Sequence, residues 1–222
     1  RLKINITTEH KFSDNIEQGV IRSVNNDNID FLLVGAGISL SGITYVQHQS
    51  FLNKIPYFGS LLSRMNKSSR EIFYPGSLIK DKTKYFVEHS KCSVGIFINR
   101  NFKVLNDVMV LLEEEKDDFL IRYAHRLLKN DPAIHITIYD DDKLLQSTSE
   151  FRNSYQNLSK HFPSSVKVVR SNRSGYAQFS RYSLMLVSYP VWNQLTQMNS
   201  PKLENIPSTL IINKKESRFS KE

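Results

Sequence analysis

Phe73–Arg100 reads FYPGSLIKDKTKYFVEHSKCSVGIFINR. Pro75-Gly76 marks a corner, and Ser77 beside it is a good helix N-cap. Leu78, Ile79, Tyr85 and Phe86 then recur as one apolar helix face. Cys92 opens SVGIFI, a continuous apolar run of the kind found in strands buried on both faces of a parallel sheet. A corner, a helix and a buried strand in that order are the closing half of a crossover unit. The question is what stands in front of it.

Upstream, IDFLLVGAG carries a second buried strand over Phe31–Val34, ended by Gly35 and Gly37. Before it, Ile16, Val20 and Val24 recur at helical spacing, and Asp14 with Glu17 suits a capping box. KINITTEH alternates apolar and polar residues, a half-buried strand. Between the glycines and the Pro-Gly corner, residues 38–74 mix Gly, Pro, Ser and isolated hydrophobics. This is a long insertion, expected to carry some structure of its own.

Downstream the alternation resumes. DVMVLL, AIHITIY, SVKVV, SLMLVS and STLIIN read as strands. DDFLIRYAHRLLKN is a helix with Phe119, Leu120, Tyr123, Ala124, Leu127 and Leu128 on one side. SEFRNSYQNLSKHF is another, with Phe151, Tyr155, Leu158 and Phe162 on one stripe. The expected fold is α/β, with doubly wound, mostly parallel sheets of Rossmann-like kind in two tandem units. Residues 1–102 form the C-terminal part of a first unit carrying the insertion, 103–215 form the second unit, and 216–222 form a polar tail. With Arg rather than Met at position 1 and the first unit short of its opening half, the chain reads as a piece of a longer polypeptide.

The totals narrow the function classes. The chain has 222 residues, 40% of them hydrophobic, and a net charge of +8. No window approaches the roughly 18–20 apolar residues of a membrane span, and no signal peptide opens the chain. A single cysteine allows no internal disulfide. The basic balance suits an anionic surface. No aromatic-interleaved basic stripe or nucleic-acid motif accompanies it, so nucleic acid is not an expected partner.

The pieces DFLLVGAG, PGSLIKDKTKYFVEHSK and CSVGIFINR resemble the later part of a universal stress protein unit, a Rossmann-like scaffold of the HUP class. CSVGIFINRNF followed by DVMVLLEEEKDDFLIRYAHRLLKNDPAIHITIYDDD is similar to the cytoplasmic tail of monovalent cation/proton antiporters, in which two stress-protein-like units follow a membrane exchanger domain. YSLMLVSYPVWNQLTQMNSPKLENIPSTLIIN is similar too. Trp192, Pro201, Leu203 and Ile206 stand where the family has a Trp-containing loop and a final turn, while Asn205 replaces its usual glycine. The resemblance implies a non-catalytic regulatory domain of a Na+(K+)/H+ antiporter at the cytoplasmic side of the cell membrane. Its implied partners are the membrane-embedded exchanger domain of the same chain and a second copy in a homodimer. The alternative is a nucleotide-binding tandem stress protein with no membrane attachment. A third reading is an adenylate-forming enzyme, for which no residue is an obvious catalyst.

If a phosphate binds, the residue types that suit it are Gly35, Gly37, Gly42, Gly76 and Ser77. Glycines let backbone N–H groups approach, and a helix start adds its own N–H groups and the positive end of its dipole. ATP or another adenine nucleotide is the ligand this corner implies; otherwise no cofactor is expected. The insertion separates the two halves of the motif, and the bland reading is a tight turn at Gly35 and Gly37 with an ordinary cap at Ser77. In the second unit, Glu113, Glu114 and Glu115 follow the first strand, where ligands of doubly wound sheets lie. Carboxylates there repel a triphosphate. They read either as helix-start acids or, with Asp140, Asp141 and Asp142, as a hard-oxygen site for Ca²⁺ or Mg²⁺. Cys92 reads as a buried small hydrophobe. The histidines show no metal spacing.

Overall fold

The computed structural model describes residues 8, 10–27, 29–36, 82–170, 178–203 and 205–215. Gly37, Gly42, Gly76, Ser77, the insertion 38–74, most of the KINITTEH strand and the tail 216–222 lie outside the described residues.

Among the described residues the strands are β1 (Phe31–Gly35), β2 (Ser93–Ile98), β3 (Asp107–Leu112), β4 (His135–Asp140), β5 (Val166–Val169), β6 (Leu184–Ser188) and β7 (Ser208–Asn213). The helices are α1 (Ile16–Asn26), α2 (Lys82–His89), α3 (Asp118–Asn130), α4 (Ser149–His161) and α5 (Tyr189–Gln197). Every apolar run assigned to a strand that lies in the described residues is one. Two local readings need correction. The cap of α1 is Asn15, whose side chain accepts from Gln18 N at 2.9 Å, not an Asp14–Glu17 box. Trp192 sits in α5, not in a loop. Pro190 disguised that helix, because proline reads as a breaker. In the first turn it costs nothing, since the N–H it lacks has no intrahelical partner there.

The seven strands form one sheet in the order β1-β2-β7-β6-β3-β4-β5, all parallel except where β2 meets β7. From β3 onward the chain steps outward to β5, then returns to the other side of β3 for β6 and β7. This is the Rossmann strand order, with its switch point between β3 and β6. The expected pair of sheets is thus a single sheet, joined edge to edge.

The junction has internal two-fold logic. The β2–β7 ladder is centred on Ile96 opposite Ile211. An operation exchanging those residues carries Ser93 to Ser208. It also carries the pairing of β1 with β2, Phe31↔Ser93 to Gly35↔Phe97, onto that of β6 with β7, Leu184↔Ser208 to Ser188↔Ile212. Even the flanking bonds repeat. Arg100 N donates to Ser208 Oγ at 2.8 Å, and Lys215 N donates to Ser93 Oγ at 3.1 Å.

The sheet separates two apolar layers. On one face α1, α2 and α5 pack over Val94, Ile96, Met109, Leu111 and Ile211. Trp192, Leu203 and Ile206 are buried there, so three residues of the terminal resemblance serve as core. Among the described residues Trp192 Nε1 has no hydrogen-bond partner. On the other face α3 and α4 pack over Val108, Val110, Ile136 and Ile138 through Leu120, Ile121, Leu128, Phe151 and Leu158.

Candidate ligand site at the carboxyl ends of the strands

In an open α/β sheet a ligand lies beyond the carboxyl ends of the strands at the switch point. Here that point is flanked by the turn after β3 and the start of α5. The turn contains no glycine; it reads Glu113-Glu114-Glu115-Lys116-Asp117. Asp117 is 1% exposed. Its Oδ2 accepts from Glu113 N at 2.9 Å and Glu114 N at 3.0 Å, and its carboxyl also bonds the side chain of Ser188 at the end of β6. The Glu113 and Glu114 amides of this turn therefore already face the chain's own carboxylate, and the Val191 amide at the start of α5 donates to Ser188 Oγ. Burial raises the Asp117 pKa, and these hydrogen bonds offset part of the rise.

Glu113 is held beside it. The Lys202 ammonium, from the turn between α5 and β7, makes a short contact to Glu113 Oε1 and lies 3.8 Å from Asp141 Oδ2 after β4. Both partners of the main pair are largely buried, at 12% and 19% side-chain exposure. Burial raises the Glu113 pKa, with Lys202 pulling it back down. Asp140 is fully buried and accepts from Leu144 N at 2.6 Å and Leu145 N at 3.3 Å, closing the turn that follows β4.

The two acidic runs thus resolve into caps and an ion pair. Where the sequence offered a hard-oxygen cation site, a lysine ammonium lies between Glu113 and Asp141. Among the described residues no group of three or more His, Cys, Asp or Glu side chains is arranged to hold a metal. Neither Asp117 nor Lys202 could be picked out beforehand. Asp117 hides in an acidic run, and Lys202 lies 89 positions from its partner with no local pattern linking them.

Of the glycine corner, only Gly35 is described. It is the last residue of β1, opposite Phe97, rather than part of a turn. Among the described residues a Cβ there would meet nothing within 4 Å, and no described glycine has positive φ. Cys92 is buried, its sulfur 3.1 Å from Ser90 Oγ, as the packing reading expects. No helix of the described residues is long and apolar enough to cross a membrane.

No protein-family model and no curated protein matches the chain. Solved structures that are similar include a putative universal stress protein from Pseudomonas aeruginosa UCBPP-PA14, at 8% identity and TM-score 0.42 over 90% of this chain and 68% of that one. Another is a functionally unknown protein from Pseudomonas aeruginosa PAO1, at 9% identity and TM-score 0.42 over 90% and 68%. A third is the cytoplasmic domain of a prokaryotic cation chloride cotransporter, at 13% identity and TM-score 0.43 over 89% and 70%. At those scores the likenesses add no weight. The α/β assignment stands on the strand order and register of this chain.

Proposed function

We propose that this chain is a non-catalytic regulatory domain of a cation/proton antiporter, acting from the cytoplasmic side of the membrane on an exchanger domain of the same polypeptide. The observation that supports it is the filled switch point. A Rossmann-ordered sheet built for nucleotide turnover keeps the crevice beyond β3 and β6 open, whereas here Asp117, Glu113 and Lys202 occupy it with internal bonds. The sequence resemblance of the strand joins to antiporter tails supplies the transporter. A basic chain of net charge +8 suits a place near an anionic inner leaflet.

Regulation then requires a signal that binds two arrangements of the domain with different affinity. The test is transport by the complete polypeptide in everted membrane vesicles, read as cation-dependent collapse of a pH gradient, with and without residues 1–222. The expected result is that exchange survives the deletion while its dependence on pH or cation concentration shifts. Unchanged regulation overturns the reading. So does a polypeptide without membrane segments that binds ATP or AMP at the glycine corner, which is the outcome the stress-protein alternative expects.

A further inference from the structure

Charge is distributed unevenly along α3 and α4, the helices that cover one face of the sheet. Each carries its acid in the first turn, Asp118 in α3 and Glu150 in α4. From Phe119 to Asn130 and from Phe151 to His161 neither helix has a carboxylate. The two are crossovers between neighbouring parallel strands, so they run the same way and their basic last turns come together. Arg126 and Lys129 of α3 and Lys160 of α4 are exposed there. Arg126 lies over the Tyr123 ring at 5.6 Å, a contact that leaves its charge in place. Among the described residues none of the three pairs with a carboxylate.

Cations in a last turn suit the helix dipole, so by themselves they call for no partner. A histidine pair stands beside them. The His125 ring of α3 meets the His161 ring of α4 edge to face, with centroids 5.7 Å apart, and Phe162 lies against both. His161 Nδ1 is 2.7 Å from Asn157 O, so that nitrogen donates and Nε2 is the one left to take a proton. The charged groups that act on His125 are His161 and Lys129. The turn after α3 brings Asp131, whose carboxylate accepts from Ala133 N at 3.0 Å, and the strands beneath present Val108, Val110, Ile136 and Ile138. Burial, then His161 and Lys129, lower the His125 pKa. Negative charge brought from outside therefore favours protonation of the pair.

We propose that the outer face of α3 and α4 docks on an anionic lipid bilayer, with Arg126, Lys129 and Lys160 at the headgroup phosphates and the His125–His161 pair tightening the docking as pH falls. This surface rests on the membrane-side placement proposed above. The three cations stand on an exposed helical face and not around a cavity, which suits an extended anionic surface. Near such a surface each cation strengthens binding by about fivefold, and the attraction fades within a Debye length. A surface that favours the protonated pair binds more tightly as the pair is protonated.

The test is flotation of the complete 222-residue chain with vesicles of phosphatidylcholine alone or mixed with phosphatidylglycerol. It is run on either side of the ordinary histidine range, at about pH 5.5 and pH 7.5. Binding is expected to need phosphatidylglycerol, to strengthen at the lower pH and to be lost with added salt. Arg126→Glu with Lys129→Glu should weaken it by roughly tenfold or more. Lys84→Glu with Lys91→Glu, the same charge reversal on the α2 side of the sheet, should change it little. His125→Gln with His161→Gln should flatten the pH dependence while leaving salt-sensitive binding. In the unaltered chain, both imidazoles should titrate at higher pH once anionic vesicles are added. The proposal is overturned if phosphatidylcholine alone binds as well, if binding does not change with pH, or if the histidine variant keeps the dependence. It is also overturned if the α2-side reversal weakens binding as much, or if the chain is retained on heparin without floating. Regulation that shifts on deletion, with no flotation, sinks the docking alone; flotation with unchanged regulation sinks the regulatory reading alone.

Discussion

The β1–β2 half and the β3–β7 half of the sheet are related by register, the β1–β2 pairing matching that of β6–β7, but they differ in how they are covered. On the side that carries α3 and α4, Val108, Val110, Ile136 and Ile138 are buried to 1% exposure or less. On the same side of β1 and β2, Leu33 is 60% exposed, and Phe31 and Phe97 are only half-buried. Parallel strands are ordinarily covered on both faces. The difference shows that register and layering are separable. Backbone pairing and the α1–α2–α5 layer suffice to place β1 and β2, while the second layer is present only where α3 and α4 supply it among the described residues.

The sharpest way to break that comparison is to cut the same side chain at both ends. Leu120 of α3 is fully buried, and Leu120→Ala should cost about 2–5 kcal/mol through lost transfer energy and a residual cavity. Leu33→Ala, on the same face, should stay within about 0.5 kcal/mol. Urea unfolding of both variants reads the difference directly. Equal losses would mean that β1 is covered after all.

Lys202→Met comes next, because it leaves Glu113 buried without its partner. Breaking a buried pair costs roughly 3–5 kcal/mol, and the residual exposure of both groups brings the expectation to about 2–3 kcal/mol at neutral pH. The sign with pH follows from the raised Glu113 pKa. A carboxyl raised in the folded state favours folding below its unfolded pKa, and that advantage is lost as pH rises through the folded value. Removing Lys202 raises the Glu113 pKa further. The penalty should therefore be largest near neutral pH and shrink as the solution is acidified and Glu113 is neutralised. A penalty that stays constant between pH 7 and pH 4 would show that the pair contributes packing rather than charge.

Gly95 tests the half-covered side from within. A Cβ there would come 2.5 Å from Phe31 Cζ and 3.1 Å from Leu210 Cδ1. The Phe31 ring lies across β2 at this point and reaches Tyr123 of α3, with centroids 5.7 Å apart. Gly95→Ala should cost about 1–2 kcal/mol by overpacking. Pairing it with Phe31→Leu should recover most of that loss if the ring is the obstacle. Additive losses in the double mutant would place the strain in the β2 backbone instead.

How much of this was legible beforehand follows the same division. The strands were readable because each is a short run whose burial is set locally: SVGIFI and LMLVS carry almost nothing but apolar residues. The helices α3 and α4 were readable from one apolar stripe each. Three things were not. The helix at Tyr189–Gln197 was masked by Pro190, which signals a break unless its place in the first turn is known. The joining of two units into one sheet depends on β2 meeting β7, a pairing between residues more than a hundred positions apart. The filled crevice depends on Asp117 turning back on two amides and on Lys202 arriving from a distant turn, neither of which has a local sequence signal. Gly35 is the last residue of β1, and its proposed partners Gly37, Gly76 and Ser77 lie outside the described residues.

The smallest expected effect tests the internal two-fold itself. Ser93 and Ser208 exchange under it, and each hydroxyl accepts an amide from the far end of the opposing strand, Lys215 N in one case and Arg100 N in the other. Removing either hydroxyl should cost about 0.5–1.5 kcal/mol, the usual net worth of one such bond. The two costs should not be identical. Ser208 is 2% exposed and Ser93 is half-buried, so the amide orphaned by Ser208→Ala has less water to turn to. Hydrogen exchange separates the local effect from global loss: Arg100 N should exchange faster in Ser208→Ala, and Lys215 N in Ser93→Ala. If each substitution releases only its own amide, the two ends are independent caps. If each speeds both, the β2–β7 ladder opens as a unit, and the junction between the halves is a cooperative hinge rather than a pair of fixed ends.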